Sequence, residues 1–195
     1  KHTNPCGTAT APDLTKAYLD ALDCDRLSAF GSVVAFNREV DTGLAQTILK
    51  EADFVECVIA PSYETKALEA LRVKKNLRLL EVRGFTAKSA KPNPLTKAQG
   101  QSRDCRGIDR DMKKVVGGIL VQDRDVARVK EPDLKIVTKL KPTSGQLNSL
   151  LFGWVVAKHV KSNAIVLCQG TQTVGVGAGQ MSRVDSVRIA AEKAR

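Results

Sequence analysis

The chain has 195 residues, 43% apolar and 4% aromatic, with 31 Lys and Arg against 21 Asp and Glu, a net charge of +10. That length supports one large domain or two small ones with a sizeable core, and the apolar share excludes wholesale disorder. The charge calls for an anionic partner (nucleic acid, a phosphorylated metabolite or a polyanionic cofactor) or else marks a basic solvated surface, while the shortage of rings speaks against a single-strand platform of stacked aromatics.

Lys1 to Gly7 reads as a polar loop punctuated by Pro5 and Gly7. A helix follows, with Thr10 as its cap, Pro12 in its first turn and Leu14, Tyr18, Leu19 and Leu22 at helical spacing; Asp23 to Asp25 ends it. Ser32 to Phe36 is an apolar, β-branched run and predicts a buried strand. Asp41 or Thr42 caps a second helix through Leu44, Ile48 and Leu49. Phe54 to Ala60 predicts a strand, Tyr63 to Val73 a helix and Leu77 to Val82 another strand. This alternation predicts an α/β layered domain with helices over both faces of a sheet. Gly84 to Lys114 breaks the pattern, being rich in Lys and Arg and poor in apolar residues. It reads as a basic loop or linker, either an anion-binding arm or a solvated excursion. Val115 to Asp125 returns to a strand thinned by glycines, and Leu134 to Val137 predicts a short strand. From Thr143 or Ser144 a helix runs through Leu147, Leu150, Leu151, Trp154 and Val155. A strand from Ala164, a second strand, a glycine turn and a last helix capped by Ser182 complete the chain. Helix-then-strand occurs both before Val33 and before Ile165, which permits two similar halves without a strict repeat.

Cys6, Cys24, Cys57, Cys105 and Cys168 are dispersed, odd in number and without a C-x-x-C pair. That argues against a disulfide framework and a structural zinc site, and for a reducing compartment. No apolar run is long enough to span a membrane, and no signal-peptide pattern is present. Because the chain opens on Lys1 instead of Met, a fragment or processed piece is expected.

Three patterns carry candidate chemistry. Gly175-x-Gly177-x-Gly179 has its third glycine one position early for a dinucleotide fingerprint, so it reads as a plain strand-to-helix turn. Ser182-Arg183 after it can hold an anion at a helix start. Lys1-His2 pairs an ammonium with an imidazole, a cation for developing negative charge beside a proton acceptor; taken alone it also reads as a surface pair or tag remnant. His159 reads as structural or surface. Pro5-Cys6 matches the start of the zinc-deaminase P-C-x-x-C motif, but the second cysteine and the H-x-E partner are missing.

Six blocks in order then resemble one family: Lys1 to Gly7, Ser28 to Gly31, Ala35 to Asp41, Val121 to Asp125, Lys161 to Ala164 and Gly175 to Ser186. It is the aminoimidazole carboxamide ribonucleotide (AICAR) transformylase, the formyltransferase half of a bifunctional purine biosynthesis protein whose other half is inosine monophosphate cyclohydrolase. The resemblance implies a cytidine-deaminase-like layered α/β fold, zinc-free, with two similar subdomains. Over this chain they would be residues 1–83 and 115–195, the second incomplete, around the basic stretch 84–114. It implies a one-carbon transferase, moving a formyl group from 10-formyltetrahydrofolate to the 5-amino group of AICAR. By position it makes His2 the proton acceptor and Lys1 the group that stabilises the transition state. Gly31, Glu56, Asn163 and Arg183 become nucleotide contacts, and Val184 a folate contact. It also implies a cytoplasmic homodimer with shared active sites, bound to neither nucleic acid nor membrane. Some members hold a monovalent cation with hydroxyl side chains where this chain has Val160 and Ala164, so no metal is expected. The rival functions are a basic nucleic-acid-binding module and a catalytically silent piece of the same fold.

Overall fold

The computed structural model describes residues 3–82, 110–123, 125, 127 and 129–194. The chain divides into two units, Lys1–Phe85 with Val129–Arg195, and Thr86–Arg128.

In the first unit, α1 spans Leu14–Asp23. Its cap is Asp13, whose carboxylate accepts from the backbone N–H groups of Thr15 and Lys16, where Thr10 was expected. Thr10 is held elsewhere, donating its backbone N–H to Thr171 O at 2.8 Å. A short helix α2, Arg26–Ala29, follows under an Asp25 cap and was not foreseen. β1 (Ser32–Ala35), β2 (Val55–Ala60) and β3 (Arg78–Glu81) form a parallel sheet in that order. Between them run α3, Thr42–Glu51, capped by Asp41, and α4, Thr65–Arg72. Parallel neighbours need such crossovers. Glu64 precedes α4 but serves α3, accepting from Thr42 N and Oγ1 at 3.0 Å each.

The main core lies between this sheet and its helices. Val40, Leu44, Val58 and Leu71 are fully buried there, and each contributes about 1.5–3 kcal/mol by leaving water.

The same unit continues with a 3₁₀ turn at Glu131–Asp133 and with α5, Ser144–Ala157. Thr143 and Gln146 form a reciprocal capping box at its start. No strand forms at Leu134 to Val137, and Val137 is 82% exposed. Its side chain has no core to enter, so β propensity alone does not decide the segment. β6 (Ile165–Gln169) and β7 (Gln172–Gly177) pair antiparallel, and α6 (Arg183–Lys193) packs across both. A second core joins Cys24, Val156, Val160 and Val176. The two ends of the sequence meet in this unit, because Ala9 bridges to Gln172 antiparallel.

In the second unit, β4 (Arg110–Val115) and β5 (Gly118–Asp123) form an antiparallel hairpin around Val116-Gly117. Gly117 takes φ +83°, a turn conformation open to glycine. The glycines expected to thin a strand from Val115 to Asp125 therefore make a turn. The expected basic loop 84–114 is a strand in its last five residues, and its remaining positions lie outside the described residues.

Candidate active site

The polar turn before β6 is built from the chain's two ends. Asn4 Oδ1 accepts the backbone N–H of Lys161 at 2.8 Å. Two residues on, Asn163 closes on the turn before α6. Its side-chain amide donates to Gln180 O and Met181 O, each at 3.0 Å, and its backbone N–H donates to Gln180 O at 3.1 Å. Ser186, fully buried on α6, donates its hydroxyl to Asn163 O at 2.8 Å. Ser182 caps α6 by accepting from Val184 N at 3.2 Å. Next to that cap sits Arg183, the first residue of the helix, exposed and without an ion pair among the described residues. Val184 is 56% exposed. The arrangement offers an unspent guanidinium at the positive end of a helix dipole, beside a carboxamide locked in place. Such a corner suits a phosphate or carboxylate.

The glycines before this corner serve packing. Gly175 and Gly177 belong to β7, and a Cβ on either would come within 2.1 and 2.0 Å of the α6 carbonyls of Ala190 and Ser186. Only Gly179 lies in the turn, at φ +66°.

Gly31 and Glu56 stand elsewhere, at the amino ends of β1 and β2. Gly31 has φ +65° and donates its backbone N–H to Phe54 O at 2.9 Å. Glu56 pairs with Arg78 at 2.8 Å. The far end of α6 reaches toward this side: Lys193 binds Asp25 Oδ2 and lies 3.2 Å from Ser28 Oγ. Eleven helical residues span about 16 Å, so Arg183 and the Asp25–Ser28 turn are well separated. Burial pushes the Asp25 carboxyl up, but the hydrogen bonds from Lys193 and Ser28 outweigh it and hold it below the ordinary value of 3.8. Lys1 and His2 lie outside the described residues. Among those described, no group of three or more His, Cys, Asp or Glu could hold a metal ion. No helix among them is long and apolar enough to cross a membrane.

The sequence reading overlooked Asn4, Gln180 and Ser186. Each sits inside a block that carries the resemblance, and none shows by spacing that it braces Asn163.

A family model described as AICARFT/IMPCHase bienzyme matches residues 1–193. The chain belongs to that family. Bifunctional purine biosynthesis protein PurH from three strains of Cereibacter sphaeroides is 50% identical to it over 195 residues. The match covers 100% of this chain and 33% of each relative, so the chain spans about a third of their length. Within this bienzyme-family chain, Asn4, Asn163 and Arg183 gather at one polar corner, while Gly31 and Glu56 stand at the amino ends of β1 and β2.

Proposed function

We propose that this chain carries much of the AICAR formyltransferase site of a purine biosynthesis enzyme, on a cytidine-deaminase-like fold of two similar subdomains. The observation that supports it most is the hydrogen bond from Lys161 N to Asn4 Oδ1. It ties the segment that follows Lys1-His2 to the Asn163–Arg183 corner, so the two ends of the sequence serve one site. The 5-amino group of AICAR attacks the formyl carbon of 10-formyltetrahydrofolate. His2 accepts the amine proton as the new C–N bond forms. Lys1 offsets the charge that builds on the formyl oxygen. The C–N bond to the folate then breaks as the proton held by His2 passes to the departing folate nitrogen, giving formyl-AICAR and tetrahydrofolate. An aromatic amine is a weak nucleophile because its lone pair is delocalised, so a positioned base and cation are what the step requires. Arg183 and Asn163 hold the nucleotide, and Val184 offers an apolar contact to the folate. Gly31 and Glu56 complete the nucleotide contacts from a second protomer of a homodimer, consistent with the length of α6 between Arg183 and the Asp25–Ser28 turn. The enzyme works in the cytoplasm, where its thiols stay reduced.

In the longer family protein, His2→Ala is expected to cut formyl transfer by roughly 10²–10⁴-fold and leave cyclohydrolase turnover intact. Arg183→Ala is expected to weaken AICAR binding by about tenfold or more in calorimetry, the loss of one charge-assisted hydrogen bond. Unchanged formyl transfer in the first variant would overturn the assignment of the base. Unchanged affinity in the second would remove Arg183 from the nucleotide site.

A further inference from the structure

α6 begins at Arg183 and ends at Lys193, and its two terminal cations are used differently. Arg183 is exposed, whereas the Lys193 ammonium is turned onto the first half of the chain. It donates to Asp25 Oδ2 and, at 3.2 Å, to Ser28 Oγ. Asp25 caps α2, and its other oxygen accepts from Ser28 N at 3.0 Å. A four-residue helix has one turn and cannot sustain itself, so contacts from outside must fix it. Arg26 supplies two, to Asp23 at 2.7 Å and to Glu51 at 3.6 Å, but half of its side chain lies in water, where ion pairs contribute little. The Asp25 side chain is 8% exposed, and a pair sheltered to that degree is costly to break. Among the described residues, Lys193 is therefore the strongest polar tether on α2.

α2 leads straight into the amino ends of β1 and β2. Its last residue is followed by Phe30 and Gly31. The Phe30 ring packs on Phe54 at 5.6 Å between ring centres, and Gly31 donates its backbone N–H to Phe54 O at 2.9 Å. Phe54 stands two residues before Glu56. Gly31 holds φ +65°, and glycine has more conformational freedom to lose than any other residue, so its backbone meets a ligand in one geometry only where its neighbours are held. We infer that Lys193 is a positioning residue for the nucleotide: from the end of α6 it fixes the Asp25–Ser28 turn, and through that turn the Gly31 backbone and the start of β2. It touches no substrate itself. The role rests on the reading that Gly31 and Glu56 contact AICAR. It makes α6 serve the nucleotide twice, directly through Arg183 and by way of α2 through Lys193. In the proposed homodimer the two ends serve different sites, and one helix joins them.

The test uses the longer family protein with substitutions at these positions, titrated with AICAR by calorimetry and assayed for formyl transfer. Lys193→Met keeps an apolar stem of similar length and removes the charge. It is expected to weaken AICAR binding several-fold and to raise KM for AICAR by the same factor, with kcat and KM for 10-formyltetrahydrofolate little changed. Asp25→Asn can still cap α2 and loses only the ion pair, so it should show the same loss. The double variant should lose no more than either single one, because both break one contact. Leu71→Ala, a core substitution in α4, lowers stability and should leave AICAR affinity as it was, which separates positioning from general loosening. Native AICAR affinity in Lys193→Met overturns the proposal. Additive losses in the double variant overturn it as well, as does an equal loss of affinity in Leu71→Ala. Should Lys193→Met fail to fold, native affinity in Asp25→Asn has the same force. Formyl transfer that survives His2→Ala strikes the transferase reading while the binding result on Lys193 stands. Native affinity in Lys193→Met strikes the positioning role and leaves the assignment of His2 intact.

Discussion

Gly177 and Gly179 look alike in the sequence and act through different physics. At Gly177 a side chain would strike the Ser186 carbonyl at 2.0 Å, so α6 would have to move off the strand. At Gly179 nothing lies within 4 Å, and the constraint is φ +66°. Gly177→Ala is expected to cost about 1–3 kcal/mol or more in urea unfolding, by overpacking. Gly179→Ala should cost about 1–2 kcal/mol through backbone strain, and Gly179→Asn should recover part of that loss because Asn tolerates the left-handed region. Equal recovery by Asn at both positions would contradict the distinction. Asn163 shows a related division. Its two amide hydrogens go to the Gln180 and Met181 carbonyls, so Asn163→Ala damages the corner itself. Arg183 makes no ion pair or side-chain hydrogen bond among the described residues, so its substitution should leave stability nearly unchanged.

At the scale of elements, α6 is fastened at both ends. Ser182 and Asn163 hold its start, and Lys193 holds its end to the Asp25 cap of α2. The Asp25 side chain is 8% exposed, so removing its cation leaves a nearly buried carboxylate. Lys193→Met is expected to cost about 3 kcal/mol at neutral pH, the usual order for breaking a buried pair. The pH dependence follows from the direction of the Asp25 shift. A carboxyl held below 3.8 adds stability that is complete above that value and is lost as pH falls through its folded pKa. Urea midpoints should therefore drop as pH falls below about 3.8 in the parent. In Lys193→Met that drop should be smaller, because the unpaired carboxyl no longer titrates low. An equal drop in both proteins would show that Lys193 is not what holds the Asp25 proton affinity down.

For the whole molecule, the net charge of +10 favours anionic ligands, and under the proposed function Arg183 is the cation that meets the AICAR phosphate. Raising salt from about 0.05 M to 0.5 M, which shortens the Debye length to under half, should weaken binding of AICAR several-fold and leave its dephosphorylated nucleoside nearly unaffected. Equal salt dependence for both ligands would separate the charge from substrate recognition. Salt-sensitive binding of generic DNA or RNA that tolerates His2→Ala would favour the nucleic-acid alternative.

Much of the architecture was legible in local chemistry. The spacing of Leu44 and Ile48 behind Asp41, the apolar run of β2 and the Ser182 cap all depend on neighbours within a few residues, and all formed as expected. The ordered blocks from Lys1 to Ser186 likewise identified the family without any coordinates. What the sequence left unread depends on partners far along the chain. Thr10 was expected to cap a helix, and Thr171, 161 residues away, takes its backbone N–H and carbonyl instead. Leu134 to Val137 has the residues of a strand and finds no ladder. Gly175 and Gly177 resembled a loop, and the closeness of α6 made them packing positions. Periodicity and capping are short-range and can be read from a string of residues. Long-range backbone pairing and steric clearance exist only once the chain has folded, and they alone bring Asn4, Asn163 and Arg183 to one corner.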